Sequence, residues 1–182
     1  MQYTFDTSRL QLRLLQKDDA AMLWPYVSDP QISKDMSWLP HKNIDETQAF
    51  IDNTLLSFDA GKSLTWCVFF ENKFCGIFSL IGILRQHRSL IYNRAELAYW
   101  LGPAYQGKGI MTEAGIKIVD FAFNDLGLHK LVVGHHINNQ NSKKLIERLG
   151  FKYLYTEEDV FNKNNEWITC QFYELKAKDL KK

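Results

Sequence analysis

The 182-residue chain holds no apolar run near the ~20 residues that a membrane helix needs, and its opening MQYTFDTSRLQLRLL lacks the charged-then-apolar order of a signal peptide. Both absences speak against export and against a membrane partner. Only three cysteines are present, Cys67, Cys75 and Cys170, none in a CxxC pair. That excludes a disulfide framework and fits a reducing compartment, so a cytoplasmic protein is expected. An excess of either charge is also missing: 22 basic and 21 acidic residues leave a net +1. No global field therefore favours nucleic acid or an anionic membrane. No repeat, low-complexity stretch or Pro/Gly/Ser-rich linker interrupts the chain, and one domain over 1–182 is expected. Metal-ligand spacing is missing too. His135 and His136 adjoin on a strand and so face opposite sides, and His41, His87 and His129 have no carboxylate at i, i+4. No metal is expected. The aromatic run VFFENKFCGIF has no interleaved basic residues and reads as sheet core, not a nucleic-acid platform.

What is present is a sequence of well-marked elements. RLQLRLL alternates Leu10, Leu12 and Leu14 with polar residues, a half-buried strand. KDDAAMLWPYVSD reads as a helix ended or kinked near Pro25, and DETQAFIDNTLLSFDAG as a second, with Phe50, Thr54 and Phe58 on one stripe and Gly61 closing it. Three strands follow, LTWCVFFEN, KFCGIFSLIGIL and AELAYWLG, the first two joined by a turn at Asn72-Lys73. EAGIKIVDFAFNDLG is helical, with Ile118, Phe121 and Ala122 inward and Gly127 as a stop. LHKLVVGHHI is a strand, NSKKLIERLG a short helix, FKYLYTEE and EWITCQFYEL two more strands, and KAKDLKK a solvated tail. The order β-α-α-β-β-β-α-β-α-β-β predicts an α/β (α+β) fold: a mixed central sheet of about seven strands with helices on both faces.

Between the third of those strands and the long helix lies GPAYQGKGIMTEAG, residues 102–115. A strand–loop–helix junction leaves several N–H groups unpaired at the helix start, and these attract an anion. Gly107 and Gly109 let the backbone approach a phosphate closely. Gly102-x-x-x-x-Gly107-Lys108 begins like a nucleotide P-loop, but Gly109 stands where the Mg²⁺-holding Ser or Thr is needed. A Gly-rich turn that caps a helix and binds nothing is the plain alternative.

The wider pattern narrows the choice. AELAYWLGPAYQGKGIMTEA, followed about twenty-five residues later by NNQNSKKLIERLGF, resembles the GNAT superfamily of acyl-CoA N-acyltransferases. It is most similar to the Rim-type enzymes that acetylate the N-termini of ribosomal proteins, and the likeness runs from TSRLQLRLL to the last strand. The family's loop reads Gln/Arg-x-x-Gly-x-Gly/Ala. Gln106, Gly107, Lys108, Gly109 and Ile110 fit it, and Met111 stands where a small residue is usual. The resemblance implies a mostly antiparallel sheet and acetyl-CoA as co-substrate. It places the pyrophosphate on Gln106, Gly107, Lys108, Gly109, Ile110, Met111 and Thr112, and the pantetheine along the strand at Trp100 and Leu101, one of whose N–H groups faces the thioester oxygen. Asn139 is implied as a further coenzyme contact.

The chemistry has three tasks: take a proton from the amine, hold the oxyanion, and stabilise the leaving sulfur. Glu96 occupies the family's general-base position, on one strand face with Ala98 and Trp100. A strand Glu paired with Arg94 or Arg85 is the structural alternative. Many relatives carry a Tyr acid where this chain has Ile146, which cannot donate a proton. By resemblance to the Rim type, Ser142 of Asn139-Gln140-Asn141-Ser142 takes that role, although Asn139 or Asn141 capping a helix explains the same residues. Trp38 and Leu39 of SWLPHK fall where the family lines its acceptor pocket. At pH 7 deprotonation costs about 1 kcal/mol for an α-amine and about 4.6 for a Lys amine. A weak base therefore suits an α-amine acceptor such as a protein N-terminus. A polyamine, amino acid or amino sugar, or a non-catalytic acyl-CoA sensor, remains the alternative. A monomer or homodimer is expected.

Overall fold

The computed structural model describes residues 2–180. One eight-stranded sheet runs through it in the order β1-β2-β3-β4-β5-β6-β8-β7. The strands are β1 (Phe5–Asp6), β2 (Leu10–Leu14), β3 (Leu64–Phe70), β4 (Lys73–His87), β5 (Leu90–Leu101), β6 (Lys130–His136), β7 (Lys152–Lys163) and β8 (Glu166–Lys176). Every neighbouring pair is antiparallel except β5–β6. The strand beyond the expected seven is the two-residue β1.

The helices are α1 (Ala20–Val27), α2 (Pro30–Ser33), α3 (Ile44–Asp59), α4 (Ile110–Asn124) and α5 (Gln140–Arg148). They divide between the faces. Leu23, Val27, Ile32 and Ile51 of α1–α3 pack on Cys67, Phe74, Ile77 and Trp100. On the other face Ala114, Ile118, Phe121 and Ala122 of α4, with Leu145 and Ile146 of α5, pack on Trp66, Phe78, Leu97 and Val133. Covering both faces explains why β3 reads LTWCVFF, with no polar alternation. β2, by contrast, buries Leu10 and Leu12 and exposes Gln11.

Four local expectations change. The β3–β4 turn is Glu71-Asn72, both at positive φ (50° and 60°), with Phe70 opposite Lys73. A two-residue turn that follows the sheet's twist needs positive φ at both positions, and Asn72 is its second residue, not its first. The stripe of α3 is Thr47 and Ile51, continued by Leu55, whereas Phe50 is 37% exposed. Phe50 and Ile51 lie about 100° apart around the helix, so choosing the wrong apolar neighbour rotates the whole face. α4 begins at Ile110, ahead of Glu113. The tail is not free: the Ala177 N–H donates to the His129 carbonyl at 3.0 Å, and Ala177 and Leu180 pack against the core. Residues 181 and 182 of that tail lie outside the described residues.

Among the described residues no helix is long and apolar enough to cross a membrane.

Candidate active site

β5 and β6 pair only from Arg94↔Lys130 to Leu97↔Val133. Beyond that point β5 continues along β4 to Leu101, opposite Gly76, and β6 continues along β8 to His136, opposite Cys170. The sheet therefore forks at Leu97. The Gly102 N–H donates to the Cys75 carbonyl at 2.8 Å. By the alternation of an antiparallel ladder, Trp100 also turns its N–H toward β4, while Tyr99 and Leu101 turn theirs to the fork. Of the two N–H groups expected near a thioester oxygen, Leu101 has the open one.

A cleft of about 830 Å³ occupies the fork, and both sides of the sheet contribute to it. From the α4–α5 side come Gln106, Gly107, Gly109, Ile110, Met111, Thr112, Asn139, Ser142 and Leu145. From the α2 side come Gln31, Ile32, Asp35 and Met36, and β5 supplies Tyr99, Trp100 and Leu101 along the floor. Two ligands entering from opposite faces can meet at the forked strand.

The loop is shaped by backbone. Gly107 and Gly109 stand at φ 75° and 76°, a left-handed conformation that costs other residues about 1–2 kcal/mol. Gly109 is the N-cap of α4 and offers no side-chain acceptor to the helix start. The N–H groups of the first turn are thus left for a ligand. The loop is tied from outside: Arg9 Nη1 donates to the Lys108 carbonyl at 3.1 Å, while Arg9 Nε and Nη2 both reach Glu113 Oε2 at 2.8 Å. Burial works against charge on Glu113, but hydrogen bonds from Thr7, Arg9 and Ser8 outweigh it and hold the carboxyl below its ordinary pKa. Lys108 lies outside the cleft lining, with its Nζ 5.6 Å from the Tyr105 ring centroid and 6.0 Å from that of Phe70.

Met111 is only 7% exposed. A Cβ on Gly76 would stand 2.9 Å from its terminal carbon. The bulky residue at this small-residue position is thus accommodated by the missing side chain of Gly76 on β4.

Asn139 caps α5: its Oδ1 accepts the Ser142 N–H at 2.9 Å. This fixes Ser142 in the first turn with its hydroxyl toward β5. Ser142 Oγ lies 2.7 Å from the Tyr99 hydroxyl. Tyr99 stacks on Phe78 at 5.3 Å, and burial pushes its phenol up to about 12, with the Ser142 hydrogen bond opposing. Ile146 is 1% exposed, packed in the core. Tyr99 is the site residue that sequence reasoning missed. The signal was its alternation with Trp100 on the strand that leads into the loop, which puts the two rings on opposite faces of the fork.

Glu96 does not line the cleft. It lies on β5 opposite Ile81 and beside Val132, on the Trp100 face, which is the α2 side of the fork. It makes no hydrogen bond or ion pair among the described residues. Arg85 instead donates to the Leu126 carbonyl, and Arg94 lies over Tyr92. The carboxyl stays open to water yet crowded by its neighbours, and this partial desolvation raises its pKa above the ordinary value. Trp38 packs partly on the α1–α3 core and on His41, and Leu39 is 53% exposed. Neither lines the cleft, whereas Asp35 and Met36 just before them do. His135 packs on Tyr173, and His136 approaches Asp35 at 3.9 Å.

Comparison with known proteins agrees with this architecture. YdaF of Bacillus subtilis is 32% identical over 82 residues, 45% of this chain and 42% of YdaF, so the match spans less than half of that relative. The spermidine N(1)-acetyltransferase of Vibrio cholerae is 28% identical over 152 residues, 79% of each chain. Among solved structures, the ribosomal L7/L12 α-N-protein acetyltransferase RimL in complex with coenzyme A superposes with a TM-score of 0.83. That likeness, at 20% identity over 93% of this chain and 95% of RimL, is one of fold. The model of the GNAT acetyltransferase domain matches residues 9–152, and the chain belongs to that family.

Proposed function

We propose that this chain transfers the acetyl group of acetyl-CoA to an amine, and that the amine is the α-amine of a protein N-terminus. The observation that carries the reading is the fork at Leu97, with an uncapped helix start on one side of the cleft and Asp35 and Met36 lining it on the other. Gln106 to Thr112 would hold the pyrophosphate, with the backbone at Gly107 and Gly109 closest to it. Asn139 would meet the pantetheine through its amide nitrogen, since its oxygen is engaged in the cap. The Leu101 N–H would face the developing oxyanion. The acceptor would enter past Asp35 and Met36, with Trp38 and Leu39 at the outer rim.

Glu96 would take the amine's proton through a water, because its carboxyl stands beside the cleft and not in its wall. Its raised pKa moves it toward the range where a base works well near neutrality. An α-amine asks for only about 1 kcal/mol of deprotonation at pH 7, against about 4.6 for a Lys-type amine. Ser142 would donate a hydrogen bond to the departing sulfur. YdaF, named for ribosomal N-acetyltransfer, and RimL support the α-amine. The Vibrio cholerae spermidine enzyme supports a second reading, a polyamine acceptor, which the Asp35 carboxylate on the α2 side would suit.

Incubation with acetyl-CoA and short peptides, followed by mass spectrometry, tests the reading. One acetyl group on the peptide N-terminus is expected. Absence of acetylated product from every peptide would sink it, and acetylated spermidine in its place would carry the second reading.

A further inference from the structure

Ser142 alone is a poor leaving-group donor. A serine hydroxyl rotates freely, and in water its hydrogen points wherever an acceptor lies. Here one neighbour removes that freedom. The Tyr99 hydroxyl sits 2.7 Å from Ser142 Oγ, both residues line the cleft, and no other partner for either hydroxyl exists among the described residues. The geometry is held from two sides: stacking on Phe78 fixes the Tyr99 ring, and the Asn139 cap fixes the Ser142 backbone.

We propose that Tyr99 is a positioning residue for departure of the thiol: its phenol donates to Ser142 Oγ and thereby turns the Ser142 hydrogen toward the coenzyme sulfur. Two hydroxyls in series make a polarised donor. The inference rests on the acetyl-transfer reading and on the place of Ser142 within it.

The step balances without an acid in the dyad. The amine lone pair forms the C–N bond, and the carbonyl pair moves to oxygen and returns as the C–S bond breaks. The sulfur leaves with that bond's pair as a thiolate, held by the Ser142 hydrogen. The amine's proton goes to the Glu96 side and not to this pair. A phenol at about 12 is a far weaker acid than a thiol near ~8.5. It keeps its proton throughout and serves as a fixed donor. The phenol that many relatives place on the helix is thereby replaced at the fork by one on β5, acting through serine.

The titration needs no acceptor, and only the turnover arm uses one, a peptide with a free N-terminus. Coenzyme A is bound to the wild type and to Tyr99→Phe, Ser142→Ala and the double variant. Its thiol is titrated by thiolate ultraviolet absorbance against coenzyme-free protein, with affinity measured by calorimetry. Subtraction of coenzyme-free protein removes the signal of the protein's own thiols, all three of which burial raises, Cys75 to about 12. A donor aimed at the sulfur favours its charged form. Tyr99→Phe, which keeps the ring, is expected to raise the thiol midpoint by roughly one pH unit with little change in affinity, and to lower kcat about tenfold with KM for acetyl-CoA unchanged. In the Ser142→Ala background the Tyr99→Phe change should have no further effect.

A midpoint that moves with Ser142→Ala but not with Tyr99→Phe overturns the positioning role. A midpoint that moves with neither overturns the role of Ser142 and of Tyr99 together. Failure of the acetyl-transfer reading looks different: coenzyme A does not bind the wild type, or it titrates as expected and no amine is acetylated.

Discussion

Arg9, in the bend just before β2, and Glu113, in the first turn of α4, are joined by two N–H bonds of 2.8 Å to a single carboxylate oxygen, and the same guanidinium holds the Lys108 carbonyl at 3.1 Å. Residues 104 positions apart thus fix the shape of the loop from behind. Arg9 is 43% exposed, so its contribution to global stability is small, about 1 kcal/mol or less. Its effect should appear in binding. Arg9→Ala is expected to weaken coenzyme A about tenfold with a melting temperature within a few degrees of wild type. Unchanged affinity by calorimetry would show that the loop holds its shape unaided.

Gly109 supplies the second constraint on the loop. A Cβ there meets only the Arg9 guanidinium, at 3.6 Å, so space is not the difficulty; the φ of 76° is. Gly109→Ala should cost about 1 kcal/mol of stability and weaken coenzyme A further as the helix start rearranges. Denaturant unfolding and calorimetry together separate the two effects.

Glu96→Gln removes the expected base while keeping shape. General-base contributions run to about 10²–10⁴ in rate, and action through a water places this one near the lower end. We expect kcat at saturating acetyl-CoA to fall about a hundredfold with coenzyme affinity kept. The raised carboxyl pKa also sets a sign. Only the ionised form accepts a proton, so kcat should decline as pH falls through a value above the ordinary ~4.3 of Glu. In the Gln variant that limb should vanish. An unchanged profile would remove Glu96 from the mechanism.

Away from the site, Arg13 makes two bonds of 2.7 Å to Asp19, whose side chain is 9% exposed. Burial opposes ionisation of Asp19, yet the Arg13 and Gln16 hydrogen bonds outweigh it and its pKa falls below the ordinary value. Stability from this pair is therefore complete above the unfolded-state pKa near ~3.9 and is lost as pH drops through the lower folded-state value. Arg13→Met strands a buried carboxylate and should cost about 3 kcal/mol at neutral pH, with the penalty shrinking in acid. A penalty that does not depend on pH would contradict the ion-pair account.

Much of this was readable from residues alone. Gly107 and Gly109 between a strand and a helix announce a left-handed backbone at the helix start because only glycine adopts it freely, and Asn139 or Asn141 ahead of a short helix announces a cap, which the structure gives to Asn139. Local chemistry decides both. The fork was not readable, since the point where β5 leaves β6 is set by what each strand pairs with on its other side. The Tyr99–Ser142 contact spans 43 positions and depends on that fork. Phe50 was misplaced because both it and Ile51 are apolar, and the pattern does not say which of two adjacent residues faces inward.

The proposed acceptor is an α-amine. It is tested most directly by competition: acetyl-CoA, a peptide with a free N-terminus and an internal lysine, and spermidine in one reaction, with the acetylated position located by tandem mass spectrometry. An α-amine acceptor gives acetyl on the peptide N-terminus, with a higher kcat/KM than for spermidine and none on the lysine. Acetyl found on spermidine or on the lysine ahead of the α-amine would contradict it.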